Sequence, residues 1–474
     1  MKWNRRIVWR LIILLSVFVL LSEPVSTRIS KTRSKRKEHK KRHSMYKLNL
    51  RKVYVRNAKW VNASCLDGSD AAFYISRNRK NRNWVIRLQA GGSCVLFSEC
   101  YDRKTTAFGS SKYLQNSITG TFLISDDPNI NPTFNKWNKV FIPYCSGDLF
   151  VGRKHARDHG FGLPMLGHYI VTSVVRQLIQ DYRINTKHTK ILFGGASAGG
   201  IGMLSNIDHV AKMVRPARVL GYNDGGWFTL YRNYLEPSGS GAPEFLSTLR
   251  YLFKNYWDGF VDESCRAQMP QPAACLYGEM VIRYLSTPIF VMVSLWDSYQ
   301  LKELNLDKYR PVHLPPSSHK EALYLAQFGN NTYKSIRRLI NSNRSGVFSP
   351  ACVSHTFAGV NETEAAVTMK YKIAGVTSYQ ALSEWYNTRG RQGTYADVPV
   401  ESPRCNPTCC SKYCLRCSRA SEMLVISGKR HTHDVETRKQ KLKTEIVQSP
   451  TTITSGAERL RTMAFVYGVL LVLL

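Results

Sequence analysis

The residues best suited to covalent chemistry lie in Lys190-Ile191-Leu192-Phe193-Gly194-Gly195-Ala196-Ser197-Ala198-Gly199-Gly200, which holds a G-x-S-x-G sequence over 195–199. An apolar run precedes it and a stretch with helical spacing follows. A strand that turns sharply into a helix strains its central residue and presents the serine hydroxyl, provided that small neighbours let the chain bend. Ser197 is therefore the candidate nucleophile, set against the plainer reading of a glycine-rich structural turn. A serine at neutral pH needs a general base, and the base needs an acid to orient it.

In this type of fold the acid and then the histidine follow the nucleophile along the chain. Asp297 comes just after the apolar run 289–293, at the carboxyl end of a buried strand and so on the sheet edge that would carry Ser197. His355 closes Phe348-Ser349-Pro350-Ala351-Cys352-Val353-Ser354-His355, beside a cysteine able to pin its loop. Asp224, Asp258, His209, His313 and His319 have the same chemistry, and each taken alone reads as a surface or cap residue. A developing oxyanion needs backbone donors. The amide of Ala198 is one, and Gly91 and Gly92, just after the run Trp84-Val85-Ile86-Arg87-Leu88, are placed to supply the second donor loop; a plain β-turn held by Cys94 and Cys100 is the alternative.

These residues need a sheet to hold them. The runs 84–88, 140–143, 191–193 and 289–293 read as buried strands. Residues 169–182 and 201–214 carry apolar positions at helical spacing. Strand and helix alternate, which predicts an α/β fold of the α/β-hydrolase type, with a mostly parallel sheet, helices on both faces and disulfides as staples.

Net charge and cysteine usage give the setting. The 474 residues carry 67 Lys and Arg against 33 Asp and Glu, a formal charge of +34, so the partner surface is expected to be acidic. Arg5, Arg6 and Arg10 precede a short apolar stretch, 11–21, too brief to span about 30 Å of hydrocarbon; residues 1–26 read as a secretory signal peptide. In an oxidising compartment the twelve cysteines should pair. Cys94 with Cys100 and Cys265 with Cys275 are plausible local loops, and the cluster Cys405, Cys409, Cys410, Cys414 and Cys417 favours disulfides over half of a zinc site. The sequons at Asn62, Asn330, Asn343 and Asn361 fit the same address.

The expected organisation is a basic disordered arm over 27–52, a catalytic domain over 53–417, a flexible stalk over 418–462 and an apolar tail over 463–474. The arm reads as a solvated tail, as a binder of heparan sulfate or another acidic surface, or as a processing site at Arg33-Ser34-Lys35-Arg36. The signal peptide argues against nucleic acid as a partner. The tail reads equally as a GPI-attachment signal, after the small residues Ser455, Gly456 and Ala457, or as a simple apolar end. No self-association motif is present, so a monomer is expected.

Leu88-Gln89-Ala90-Gly91-Gly92-Ser93-Cys94, Phe141-Ile142-Pro143-Tyr144-Cys145-Ser146, Gly195-Ala196-Ser197-Ala198-Gly199-Gly200, Asp224-Gly225-Gly226-Trp227-Phe228 and the segment ending at His355 together resemble the Notum family, in the pectin acetylesterase-like group of α/β-hydrolases. The resemblance covers about 53–410 with the motifs in order. It implies a secreted carboxylesterase that removes palmitoleate from a serine of Wnt proteins and so silences them, without metal or cofactor. It also implies Ser197 as nucleophile, His355 as base and acid, Asp297 rather than Asp224 as the orienting acid, Gly91, Gly92 and Ala198 as the oxyanion hole, and heparan-sulfate proteoglycans of the glypican kind as docking partners.

The chain departs from that family at the acyl pocket. The family reads Leu-Glu-Gly-Gly and then Trp after the first strand, whereas Gln89 and Ala90 stand here and no Trp occupies 92 or 93. Leu276 and Tyr277 replace paired phenylalanines after Cys275, and Phe228 is kept. The expected consequence is a shorter or differently bent acyl chain. A carbohydrate O-acetylesterase, and a heparin-binding surface protein without catalysis, are the alternative functions.

Overall fold

Apolar strands covered on both faces read as continuous hydrophobic runs, and the centre of this fold is built from such runs. The computed structural model describes residues 49–158, 162–234, 244–304, 306, 318–357, 371–399 and 425–427. Contacts divide the chain into units of residues 1–428 and 429–474, and every described residue belongs to the first. The signal peptide, most of the basic arm, the cysteine cluster at 405–417, Asn361, His313 and the apolar tail lie outside the described residues.

The strands are β1 (Asn49–Tyr54), β2 (Ala72–Ser76), β3 (Trp84–Leu88), β4 (Ser117–Thr119), β5 (Asn138–Ile142), β6 (Lys190–Ala196), β7 (Arg218–Asp224), β8 (Ile289–Met292), β9 (Gly346–Ser349), β10 (Lys372–Ile373), β11 (Val376–Thr377), β12 (Tyr395–Asp397) and β13 (Val425–Ser427). Eleven of them form one sheet in the order β13-β12-β9-β8-β7-β6-β3-β5-β2-β1-β4, and β10 pairs with β11 in a separate hairpin. Pairing is parallel from β5 through β3, β6, β7, β8 and β9 to β12, and antiparallel at both edges. This is the α/β-hydrolase arrangement expected from the alternation of strand and helix. β1 begins inside the stretch expected to be a disordered arm, because Leu50 is fully buried and pairs with Ile118. β13 likewise places 425–427, expected in the stalk, beside β12.

Side-chain alternation sorts the core into two layers. Ile86, Phe193, Ile289 and Val291 face one apolar cluster, while Val85, Leu192, Phe290 and Met292 face another. The first layer includes helices α1 (Gly167–Tyr182) and α2 (Ala198–Met213), close to the expected 169–182 and 201–214. The second includes α3 (Ser378–Asn387) through Tyr379, Leu382 and Trp385. Disulfides join Cys65 to Cys145, Cys94 to Cys100 and Cys265 to Cys275, and Cys352 is also disulfide-bonded. Two of these are the expected local loops; the first closes 80 residues and has no local signature. Among the described residues no helix is long and apolar enough to cross a membrane.

Candidate active site

Ser197 occupies the turn between β6 and α2 with φ 52° and ψ −119°, a region that residues with a Cβ rarely adopt. The turn closes because its neighbours lack side chains. A Cβ on Gly195 would stand 2.3 Å from the carbonyl oxygen of Gly199, and one on Gly199 would stand 2.5 Å from that of Leu88 at the end of β3. The Ser197 amide donates to the Asp224 carbonyl at 2.7 Å, fastening the elbow to the end of β7.

His355 and Asp297 reach the same edge because the pairing of β8 with β9 runs on beyond both strands. Leu295 N–H donates to Pro350 O at 3.0 Å, Trp296 N–H to Cys352 O at 3.3 Å, and Ser354 N–H to Trp296 O at 3.3 Å. This ladder sets Asp297 beside His355, 58 residues later. The Asp297 carboxylate lies 2.9 and 3.1 Å from His355 Nδ1, and His355 Nε2 lies 2.7 Å from Ser197 Oγ. Asp297 is fully buried and also accepts from Gln300 N–H at 2.9 Å, capping the short helix Ser298–Glu303. One carboxylate therefore starts a helix and fixes an imidazole.

Burial of the His355 ring opposes its charged form. The adjacent Asp297 carboxylate, the hydrogen bond it accepts from Nδ1 and the more distant Asp224 outweigh that penalty and hold the imidazole above its ordinary 6.5. A carboxylate on Nδ1 leaves Nε2 free to take the serine proton, so the geometry suits acyl transfer through serine.

Of the rivals, Asp224 is buried and braces the site from behind, its Oδ1 accepting from Phe357 N–H at 2.7 Å just past His355. Asp258 pairs with Arg153, His209 packs edge-on to Phe260, and His319 begins an exposed turn of helix. None of these three contacts Ser197. Ala198 is buried as the first residue of α2, next to the end of β3 from which Gly91 and Gly92 continue. Tyr144 packs where a Cβ on Gly91 would stand, and the Gln89 side chain accepts from Tyr144 N–H at 2.8 Å, so the replaced glutamate position still fixes this loop.

Of the residues expected to wall an acyl pocket, Phe228 is buried with its ring 6.5 Å from that of His355. Leu276 and Tyr277 are buried in the same apolar cluster, and burial pushes the Tyr277 phenol well above its usual range. Sequence reasoning missed Tyr299, whose ring stacks on His355 at 5.0 Å and lies 6.0 Å from Phe228. The Glu303 carboxyl lies near its hydroxyl. The available signal was the spacing of four residues between Tyr299 and Glu303 on the helix that Asp297 caps. Among the described residues no group of three or more His, Cys, Asp or Glu could hold a metal ion.

A model of the Pectinacetylesterase family matches residues 43–410. The palmitoleoyl-protein carboxylesterase NOTUM of Homo sapiens is 30% identical over 374 residues, covering 74% of this chain and 71% of that protein. The palmitoleoyl-protein carboxylesterase notum2 of Xenopus laevis is 28% identical over 74% of this chain and 72% of its own length, and pectin acetylesterase 11 of Arabidopsis thaliana is 24% identical over 75% and 92%. The solved structure of the Wnt deacylase Notum from Drosophila superposes with a TM-score of 0.62 at 25% identity, covering 72% of this chain and 94% of that one. The match across most of the chain, with these relatives, makes this protein a member of the pectinacetylesterase family and a Notum-like carboxylic ester hydrolase.

Proposed function

We propose that this chain is a secreted serine esterase that hydrolyses the palmitoleate ester on a Wnt protein and so silences it. The observation that carries the reading is the continuous line Asp297, His355 Nδ1, His355 Nε2 and Ser197 Oγ, with each contact at 3.1 Å or less. In this reading His355 takes the Ser197 proton as Oγ attacks the ester carbonyl, and the oxyanion draws on the amides of Ala198 and the Gly91–Gly92 turn. The protein serine departs with the proton from His355. Water, deprotonated by His355, then frees the fatty acid from Ser197. The Wnt substrate is carried over from the relatives, which are named for palmitoleoyl-protein hydrolysis and, in Drosophila, for Wnt deacylation.

The disulfides and the exposed sequon residues Asn330 and Asn343 support a secretory address. Heparan-sulfate proteoglycans are the proposed cell-surface partners of a monomer. A cavity of about 670 Å³ lined by Arg283, Arg337, Arg338 and Arg344 supports this, since none of the four is ion-paired with a described carboxylate. It opens beside Pro288 and Ser345, ahead of β8 and β9, at the sheet edge opposite Ser197, so a glycan could dock without blocking catalysis.

A second reading, carbohydrate O-acetylesterase, is favoured by the polar Tyr299–Glu303 pair beside His355. The test is release of palmitoleate from an acylated Wnt serine peptide, read by mass, with an acetylated oligosaccharide in parallel. The wild type should delipidate the peptide, and Ser197→Ala should lose at least about a thousandfold in rate. Deacetylation of the sugar without delipidation would transfer the function to the second reading.

A further inference from the structure

Substrate must reach Ser197 past the faces of the residues that surround His355. Tyr299 covers one of those faces, with its ring stacked on the imidazole at an interplanar angle of 24°. The same ring stands 6.0 Å from Phe228, the residue expected to wall the acyl pocket. Its hydroxyl lies 3.1 Å from where a Cβ on Gly92 would sit, so the side chain bridges from the candidate base to the candidate oxyanion turn. Gly92 has φ +63°, and any side chain there would meet that hydroxyl.

The ring is held from several sides. Glu303, one helical turn on, sets its carboxyl near the phenol. Burial of that carboxyl, reinforced by Glu99, holds its pKa above the ordinary carboxylate value, against the opposing pull of the Tyr299 phenol and Lys302. Arg103 approaches the same spot, with Nη2 3.7 Å from where a Gly92 Cβ would sit and bonded to Ser93 O at 3.4 Å, while its buried Nη1 has no partner among the described residues. A phenol, a carboxyl and a guanidinium thus meet where a long acyl chain would require apolar surface. Moving the ring aside would cost the stacking and the contact with Glu303 together.

We propose that Tyr299, clamped by Glu303, is a specificity-determining residue that shortens the acyl site, so that short acyl chains fit directly and a long chain binds only by displacing the ring. The proposal rests on the serine-esterase reading of Ser197 and His355, and does not depend on which alcohol carries the acyl group. Its consequence for a palmitoleoylated substrate is a high KM rather than an altered chemical step.

The test compares acetyl, butyryl, octanoyl and palmitoleoyl esters of one reporter alcohol, using the full chain and the variants Tyr299→Leu, Tyr299→Phe and Glu303→Ala. Intact sites are counted by labelling with a serine-reactive phosphonate. The ratio of kcat/KM for palmitoleoyl over acetyl ester should rise about tenfold or more in Tyr299→Leu, chiefly through KM, since pocket shape discriminates over roughly that range. Tyr299→Phe and Glu303→Ala, which keep a ring but release the clamp, should give smaller rises in the same direction. An unchanged ratio in Tyr299→Leu with full phosphonate labelling would overturn the proposal, as would unchanged ratios in both clamp variants should Tyr299→Leu fail to fold. Failure of the esterase reading looks different: the wild type would cleave none of the esters, or Ser197→Ala would still be labelled.

Discussion

Ser197, His355 and Asp297 stand on backbone that the sheet itself holds, whereas the residues proposed to wall the acyl site meet through their side chains. Ser197 is tied to β7 by its own amide, and the loops bearing Asp297 and His355 extend a strand pairing. Tyr299, Phe228 and Gly92 come from three separate segments and are matched by ring packing and by the reach of one hydroxyl. Backbone pairing tolerates a change of side chain; a contact between side chains does not. This contrast fits a chain in which the proposed Ser197-His355-Asp297 line is intact while the residues beside it differ from the family pattern.

Three perturbations probe that contrast. Asp297→Asn retains the shape and the helix cap but removes the charge that orients His355, and kcat should fall about 10³- to 10⁴-fold, measured on a short ester by stopped assay. A loss below tenfold would place the orienting acid elsewhere. Gly199→Ala strikes the junction of the two regions, because the new methyl would crowd the Leu88 and Gln89 carbonyls at 2.5 and 2.7 Å. It should cost about 1–3 kcal/mol of stability as overpacking, read from denaturant unfolding, and lower kcat/KM for short and long esters alike. If only long esters suffered, the junction would belong to the acyl wall.

The smallest effect is a displaced pH profile. His355 acts as a base only when neutral, so kcat/KM should fall as pH drops through its folded pKa. Because Asp297 and Asp224 outweigh burial and raise that pKa, the midpoint of the acid limb should lie above 6.5. In Asp297→Asn the largest raising influence is gone, and the limb of the residual activity should move to lower pH. A wild-type midpoint at or below 6.5 would contradict the close Asp297–His355 contact.

The sequence was informative wherever the determining residues are neighbours in the chain. The elbow could be read because a strand, a serine between small residues and a helix lie within about two dozen consecutive positions, and their sterics are local. Four strands of the sheet, β3, β5, β6 and β8, could be read because burial on both faces leaves an uninterrupted apolar run, whereas β7 between β6 and β8 was not read. The pairings Cys94–Cys100 and Cys265–Cys275 span 6 and 10 residues and follow from proximity. Asp297 could be placed at the carboxyl end of a buried strand and His355 in a loop beside a cysteine, with Asp224 a rival that pattern alone did not remove. The choice between the two aspartates is made by hydrogen bonds between β8 and β9 that no local spacing encodes.

Tertiary structure alone decided the rest. Cys65 meets Cys145 across 80 residues because β2 and β5 are adjacent in the sheet. Asp224 became a brace for the elbow and the His355 loop, and Tyr299 became a neighbour of the base and of the Gly92 turn. The physical reason is common to all of these. A strained turn or a buried strand is specified by the chain's own short-range sterics and hydropathy, whereas a contact between side chains on separate segments exists only after the sheet has fixed their order and register.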